Sequence, residues 1–262
     1  MVCSQLAPIA GDLAGNLALG AAAIVAARAR GADVIVLPEV VTTGYPYLDR
    51  QEARSLAIPR DHPVFHEWSE LLGDAVLIFG FAEPAPEGGV YNTAALLRAG
   101  TEPVCYRKTH LWDSEKLFFT AGDEPPPVVA TRVGNIAMMV CYDMEFPEMT
   151  RSVALRGADL LAVPTNWPWV DRPDGFPAPE VVIAMAAARV NRLPIACCDR
   201  GGHDRDTRWN EASTVIGADG WPRATADADG FVLADLDLRA SRVKEISARN
   251  HVHRDRRPEL YA

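Results

Sequence analysis

Three reactive side chains of different type each close a short apolar run: Glu39 after DVIVLP, Lys108 after PVCYR and Cys141 after IAMMV. Their chemistry is complementary. A thiol must give up its proton to attack a carbonyl, and a carboxylate can take it. An ammonium can face the oxygen that turns negative in the tetrahedral intermediate, where one donor is worth about 3 kcal/mol. Together they describe acyl transfer through a thioester. Singly, each has a plainer reading: Cys141 as a small buried hydrophobe, Lys108 as an edge charge, Glu39 as a loop acid. Three reactive types at strand ends argue instead for one shared pocket, because ligands of α/β sheets gather outside the carboxyl ends of the strands.

The elements that would position them follow an αβ grammar. The alanine- and leucine-rich segment 13–30 reads as a helix stopped at Gly31, and DVIVLPE as a strand buried on both faces and ended by Pro38. HEWSELLG reads as a helix end, AVLIFGF as a strand, and YNTAALLRAG with PVCYRK as a hairpin-like pair ending at Lys108. IAMMVCYD is a further strand, EMTRSVALRG a helix, ADLLAVPTNW a strand, 179–193 a helix with proline near its first turn, and PIACCD a strand. NEASTVIGADGWPRATADADGFVLADLDL reads as antiparallel strands joined by Ala-Asp-Gly turns. GADVIVLP at 31–38 and GADLLAVP at 157–164 echo each other and suggest two similar halves. Glycine caps and strand-ending prolines also recur for local reasons, so the echo leaves that symmetry open.

Composition narrows the class. A chain of 262 residues buries enough surface to fold as one large domain, 1–262, without disulfides or a structural metal. A formal charge of −9 and no long basic run disfavour nucleic acid as a partner. The start, MVCSQLAPIAGD, lacks the basic and apolar regions of a secretory signal, and no segment reaches the ~20 apolar residues of a membrane helix, so a cytoplasmic protein is expected. Five cysteines without a CxxC fit a reducing compartment. His203 with Asp204, and His251 with His253, lack a third ligand at useful spacing, and Cys197 and Cys198 would point to opposite faces of a strand. No metal site is expected.

The segments LPE (37–39), YRKTHLWDSEKLFFTAGD (106–123), NIAMMVCYDMEFPEMTRSVALRGADLLAVPTNW (135–167) and the terminal DRRPELY resemble the carbon-nitrogen hydrolase family, the nitrilase superfamily, from end to end. The resemblance implies a four-layer α-β-β-α sandwich. It implies Glu39 as general base, Lys108 as oxyanion stabiliser and Cys141 as nucleophile. A second glutamate of that pattern falls on Glu115, seven residues before Gly122, and would orient the lysine and the substrate nitrogen. The Tyr142 backbone N–H would complete the oxyanion site. No organic cofactor has a role in this chemistry. The resemblance also implies a homodimer or higher homo-oligomer, with the C-terminal tail 245–262 packing at the interface.

Tyr142 and Asp143 follow the cysteine where true nitrilases carry Trp-Glu, which favours the amidase-like branch: hydrolysis of a small, neutral aliphatic or aryl carboxamide by water. Tyr45, Trp112, Glu145 and Trp167 are the pocket candidates. The alternative within the family is an N-carbamoyl amino acid or ureido compound, whose carboxylate would need a cation such as Arg172 or Arg200. Asp199, Trp209 and Glu211 depart from the usual pattern, and an acid near the mouth would favour a neutral or cationic amide. Outside this chemistry stand a catalytically inactive small-molecule binder or scaffold on the same fold, and a redox protein pairing Cys141 with Cys105.

Overall fold

The computed structural model describes residues 1–261. Two six-stranded sheets face each other. The first runs in the order Phe231–Leu233, Val2–Ser4, Val34–Val36, Val76–Pro84, Val90–Arg98, Val104–Arg107. The second runs Pro222–Thr225, Thr214–Ile216, Ile195–Cys198, Leu160–Pro164, Gly134–Met138, Val128–Thr131. In each, three parallel strands form the centre and antiparallel strands flank them.

Alternation along the strands builds the layers. Val34, Val36, Val76 and Ile78 join the core shared with the second sheet, while Ile35, Leu37, Leu77 and Phe79 pack against Ile24, Ala27, Phe65 and Trp68 of the helices Leu13–Ala29 and Pro63–Leu71. The helices Pro147–Leu155 and Pro179–Asn191 cover the other sheet in the same way through Val153, Ala154, Ala184 and Ala188. The expected four-layer α-β-β-α sandwich is therefore present. Its central strands are buried on both faces, which is why they read as unbroken apolar runs.

The two echoing segments occupy equivalent places, the middle of the three parallel strands in each sheet. The residues after Pro38 and those after Pro164 meet across the sandwich, where Asn166 Nδ2 donates to the Glu39 carbonyl oxygen at 3.1 Å. One expectation fails. The first Ala-Asp-Gly turn does close a hairpin between Thr214–Ile216 and Pro222–Thr225, but the second carries the chain to the other sheet, where Phe231–Leu233 pairs with Val2–Ser4. Turn chemistry fixes a reversal of direction; which edge receives the next strand is decided by long-range pairing, here sealed by Gln5 N–H on the Gly230 carbonyl at 2.8 Å.

The C-terminal tail docks on its own chain. Lys244 Nζ donates to the Asn191 and Arg192 carbonyls at the end of one covering helix, and Arg151 from the other holds the Val252 carbonyl. Glu245–Ser247 and Asn250–His251 form a small hairpin there; Ala262, the last residue of the expected interface tail, lies outside the described residues. No helix among those described is long and apolar enough to cross a membrane.

Candidate active site

Glu39 follows the strand Val34–Val36, and its backbone stays tied to the neighbouring strand by Leu37 N–H on the Ile78 carbonyl (2.9 Å) and Val41 N–H on the Gly80 carbonyl (3.0 Å). The approach is so close that a Cβ on Gly80 would lie 2.4 Å from Val40 N and 2.6 Å from Glu39 Cα. Only glycine fits there. Lys108 directly follows Val104–Arg107, with its N–H on the Asn92 carbonyl (2.8 Å) and its carbonyl accepting from Gly122 (2.8 Å). A Cβ on Gly122 would come within 2.4 Å of the Arg107 carbonyl, so this glycine too is required by close approach. Glu115 opens the single helical turn Glu115–Phe118, and its Oε2 accepts from Trp112 N–H at 2.7 Å.

These three meet. Lys108 Nζ donates to Glu39 Oε1 at 2.8 Å and lies 2.9 and 2.7 Å from the two Glu115 oxygens. Asn92 Nδ2 bridges the same carboxylates, at 2.7 Å to Glu39 and 3.1 Å to Glu115. All are buried. Burial alone would lower the lysine pKa, but the Glu115 and Glu39 charges outweigh it and hold the ammonium well above its ordinary value. Burial pushes the Glu115 carboxyl up to about 7 against the opposing pull of Lys108.

Cys141 starts the 3₁₀ turn Cys141–Glu145 just beyond the strand Gly134–Met138, rather than ending the strand itself. Its φ of 47° places it in the left-handed region, a strained conformation for a residue with a Cβ. Burial, then the Glu39 charge, push its thiol well above the ordinary value, while Lys108 and a hydrogen bond from the Asn166 backbone oppose them. A thiol held that far up would need a base to act as a nucleophile. Tyr142 is the second residue of the turn, where N–H groups have no partner within the turn itself.

Asp143 ties the turn that carries Cys141 to the loop around Lys108. Fully buried, it accepts from Tyr106 OH (2.9 Å), Thr109 Oγ1 (3.0 Å), His110 N–H (2.9 Å) and Val140 N–H (3.3 Å), and His110 Nδ1 lies 2.8 Å away. Its hydrogen bonds thus fall on both sides of Lys108 and just before Cys141.

A cavity of about 260 Å³ joins the pieces. Glu39, Lys108, Glu115 and Cys141 line it, and so do Tyr142 and all four pocket candidates, Tyr45, Trp112, Glu145 and Trp167. Asn166, Pro168, Trp169, Val170 and Glu180 complete the wall. Several other expectations change. Arg172 and Arg200 do not line the cavity: Arg200 is buried on the Tyr45 and Pro8 carbonyls, and Arg172 is bound to Asn210. Asp199 and Glu211 are not acids of the mouth either. Asp199 accepts N–H groups of Trp167, Arg200 and Ala212 inside the fold, and Glu211 accepts from Gly202. Cys105 packs with the helix-side core of the first sheet, while Cys141 belongs to the core between the sheets. Among the described residues no three His, Cys, Asp or Glu side chains come together as a metal site.

Asn92, Asp143, Asn166 and Glu180 are the site residues that the sequence reading passes over. Two of them carried a signal, a polar residue inside a run otherwise buried: Asn92 in VYNTAALL and Asp143 in VCYDM.

A family model described as carbon-nitrogen hydrolase matches residues 3–245. The protein named hydrolase in pqqF 5′ region, from Pseudomonas protegens, is 34% identical over 256 residues, covering 95% of this chain and 86% of the relative. The N-carbamoylputrescine amidase of Solanum lycopersicum is 28% identical, covering 95% and 89%. Among solved structures, an amidase from Nesterenkonia sp. AN1, in a variant complexed with butyramide, superposes with a TM-score of 0.78 at 25% identity, covering 99% of this chain and 94% of that one.

Proposed function

The chain belongs to the carbon-nitrogen hydrolase family, and we propose that it is a thiol amidase that hydrolyses small primary carboxamides to carboxylic acid and ammonia. The observation that carries this reading is the Lys108 ammonium held within 2.9 Å of both Glu39 and Glu115 in the cavity that Cys141 also lines. Cys141 Sγ attacks the carbonyl carbon as its proton passes to Glu39. Lys108 and the Tyr142 N–H take the charge on the oxygen, and Glu115 keeps the lysine in place. Glu39 returns the proton to the nitrogen as the C–N bond breaks and ammonia leaves. Water then gives a proton to Glu39 and attacks the thioester, and the acid departs as the thiol is restored.

The cavity bears on the acyl group. Four carboxylates line it, Glu39, Glu115, Glu145 and Glu180, against one lysine already committed to two of them. A substrate carboxylate would meet only repulsion, so N-carbamoyl amino acids fit poorly. Tyr45, Tyr142, Trp112 and Trp167 supply apolar walls, suited to an aliphatic or aryl chain next to the carbonyl. The butyramide in the Nesterenkonia complex is such an amide. A ureido compound without a carboxylate is the second reading, supported by the same acidic lining and by the name of the tomato relative.

An apolar groove between the helices Pro147–Leu155 and Pro179–Asn191, with Leu155, Ile183, Val190 and Tyr261 in its walls, supports a homodimer formed through this face; sedimentation of the purified chain tests it. For the activity, the test is ammonia release from butyramide, aryl amides, matching nitriles, ureas and N-carbamoyl amino acids by the wild type and by Cys141→Ala. Release from amides that vanishes in the variant is expected. Release only from nitriles or N-carbamoyl amino acids would overturn the substrate reading, and release equal in both proteins would overturn the thiol mechanism.

A further inference from the structure

Glu145 and Glu180 stand apart from the other acids of the cavity. Glu145 ends the turn that starts at Cys141, and Glu180 lies in the first turn of the helix Pro179–Asn191 packed against it. Both line the cavity and both are half-buried. Glu145 makes no hydrogen bond or ion pair with any described residue, and Glu180 has only a long contact, 3.4 Å, from Asn210 Nδ2. The Arg172 and Arg208 guanidiniums lie against the Trp169 ring, outside the lining. Burial raises the pKa of both acids, and the charge of Glu180 raises that of Glu145 further; the charges of Lys108 on Glu145 and of Arg172 on Glu180 oppose this without overcoming it. Half-buried carboxylates are ordinarily paired, and among the described residues neither of these is in an ion pair.

The same wall holds independent signs of a missing ligand. Asn166 is 6% exposed and its Nδ2 is turned onto the Glu39 carbonyl, which leaves its Oδ1 without a partner; Trp167, 2% exposed, has an unpartnered Nε1. Buried polar groups are rarely left so. Asn166 Oδ1 can accept from the N–H of an amide whose carbonyl faces Cys141, so the reacting end of a ligand is marked at Asn166, and Glu145 and Glu180 remain to meet the rest of it. Three residues of the 3₁₀ turn lie between Cys141 and Glu145, four steps of rise or about 8 Å along the backbone. That spacing suits a short chain between the two ends.

We propose that Glu145 and Glu180 form a cation subsite, and that the preferred substrates are short amides carrying a protonated amine at the end of the acyl chain. This rests on the amidase reading above and deepens it. The ammonium supplies the positive charge that the pair lacks, while the chain between amide and amine lies along the aromatic walls.

The test compares 5-aminopentanamide with hexanamide, which has a methyl group in place of the ammonium, and with glutaramate, which has a carboxylate near that place. Wild type is expected to favour the amine over hexanamide at least tenfold in kcat/KM and to act most slowly on glutaramate. The amine-to-hexanamide ratio is expected to fall at least tenfold in Glu145→Gln and to fall in Glu180→Gln. A change that merely loosens the fold slows both amides together and leaves their ratio standing. Calorimetric binding to Cys141→Ala, with 5-aminopentanamide tighter than hexanamide, checks the subsite without turnover. Hydrolysis of hexanamide with no preference for the amine, or a ratio unmoved by both substitutions, overturns the subsite and leaves the amidase standing. Hydrolysis of neither amide overturns the subsite, and the amidase reading falls with it only if butyramide and the aryl amides are not hydrolysed either.

Discussion

The two pairs of carboxylates that line the cavity are held in opposite ways. Around Lys108, Glu39 and Glu115 share one ammonium, and Asn92 bonds to both, so each carboxylate finds its partners within the protein. Glu145 and Glu180, in the same wall, form no ion pair with any described residue; Lys108 and Arg172 act on them only through space. A matched network is set before substrate arrives, as preorganised catalysis requires. An unmatched pair is a demand for charge that a ligand can meet. Under the proposed function, the contrast separates residues that would perform the reaction from residues that would choose its substrate.

Breaking the Lys108 network should have the largest effect. Lys108→Met leaves two buried carboxylates facing each other, and we expect kcat to fall by about 10²–10³ and stability by about 3–5 kcal/mol, read from steady-state kinetics and urea denaturation. Equal stability in the two proteins would mean that the carboxylates do not depend on the lysine.

Asp143→Asn attacks the same network indirectly. It weakens the acceptor that holds the loop around Lys108 to the turn carrying Cys141, and a small misplacement is expected to lower kcat about 10–100-fold with little change in KM. A loss confined to KM would argue for a role in binding.

The matched pair also carries a pH signature. Folded Glu115 keeps a proton up to about pH 7, whereas the unfolded side chain releases it near 4.5. Stability should therefore fall as pH rises through this window, by roughly 3 kcal/mol at most. In Glu115→Gln that slope should be shallower, and urea midpoints measured across the window would show it. An unchanged slope would assign the proton elsewhere in the network.

The smallest effect sharpens the contrast. Glu145 has no intramolecular partner, so Glu145→Gln should leave stability within about 0.5 kcal/mol of the wild type or raise it slightly. A large destabilisation by the same denaturation experiment would mean that the acid serves the fold.

Much of the site around Lys108 was legible in the sequence because local patterns mark it. Glu39 and Cys141 each follow an apolar run whose period and length identify a buried strand, and parallel strands bring such ends to one edge of the fold, whereas Lys108 was marked by its place at the end of a hairpin-like pair. Glu115 had no such mark; it became visible through the family resemblance alone. The second sheet's exit to the first at Phe231–Leu233 was hidden because pairing across the fold leaves no local trace. The same holds for Asn166, whose value lies in a contact with Glu39, 127 positions away in the chain. Glu145 could be named from its place after the cysteine, but Glu180 reaches the cavity only because its helix packs on that turn. The unmatched pair is thus a property of packing, and only the structure reveals it.

The central claim is that an acyl group passes through Cys141. It is tested most directly by acid-quenching the wild-type protein during turnover of butyramide and mapping the modified peptide by mass spectrometry. The account predicts a butyryl group on Cys141, removed by hydroxylamine as a thioester would be and absent from Cys141→Ala, which should also release no ammonia. Ammonia released by Cys141→Ala at the wild-type rate, or an acyl group found on another residue in its place, would contradict it.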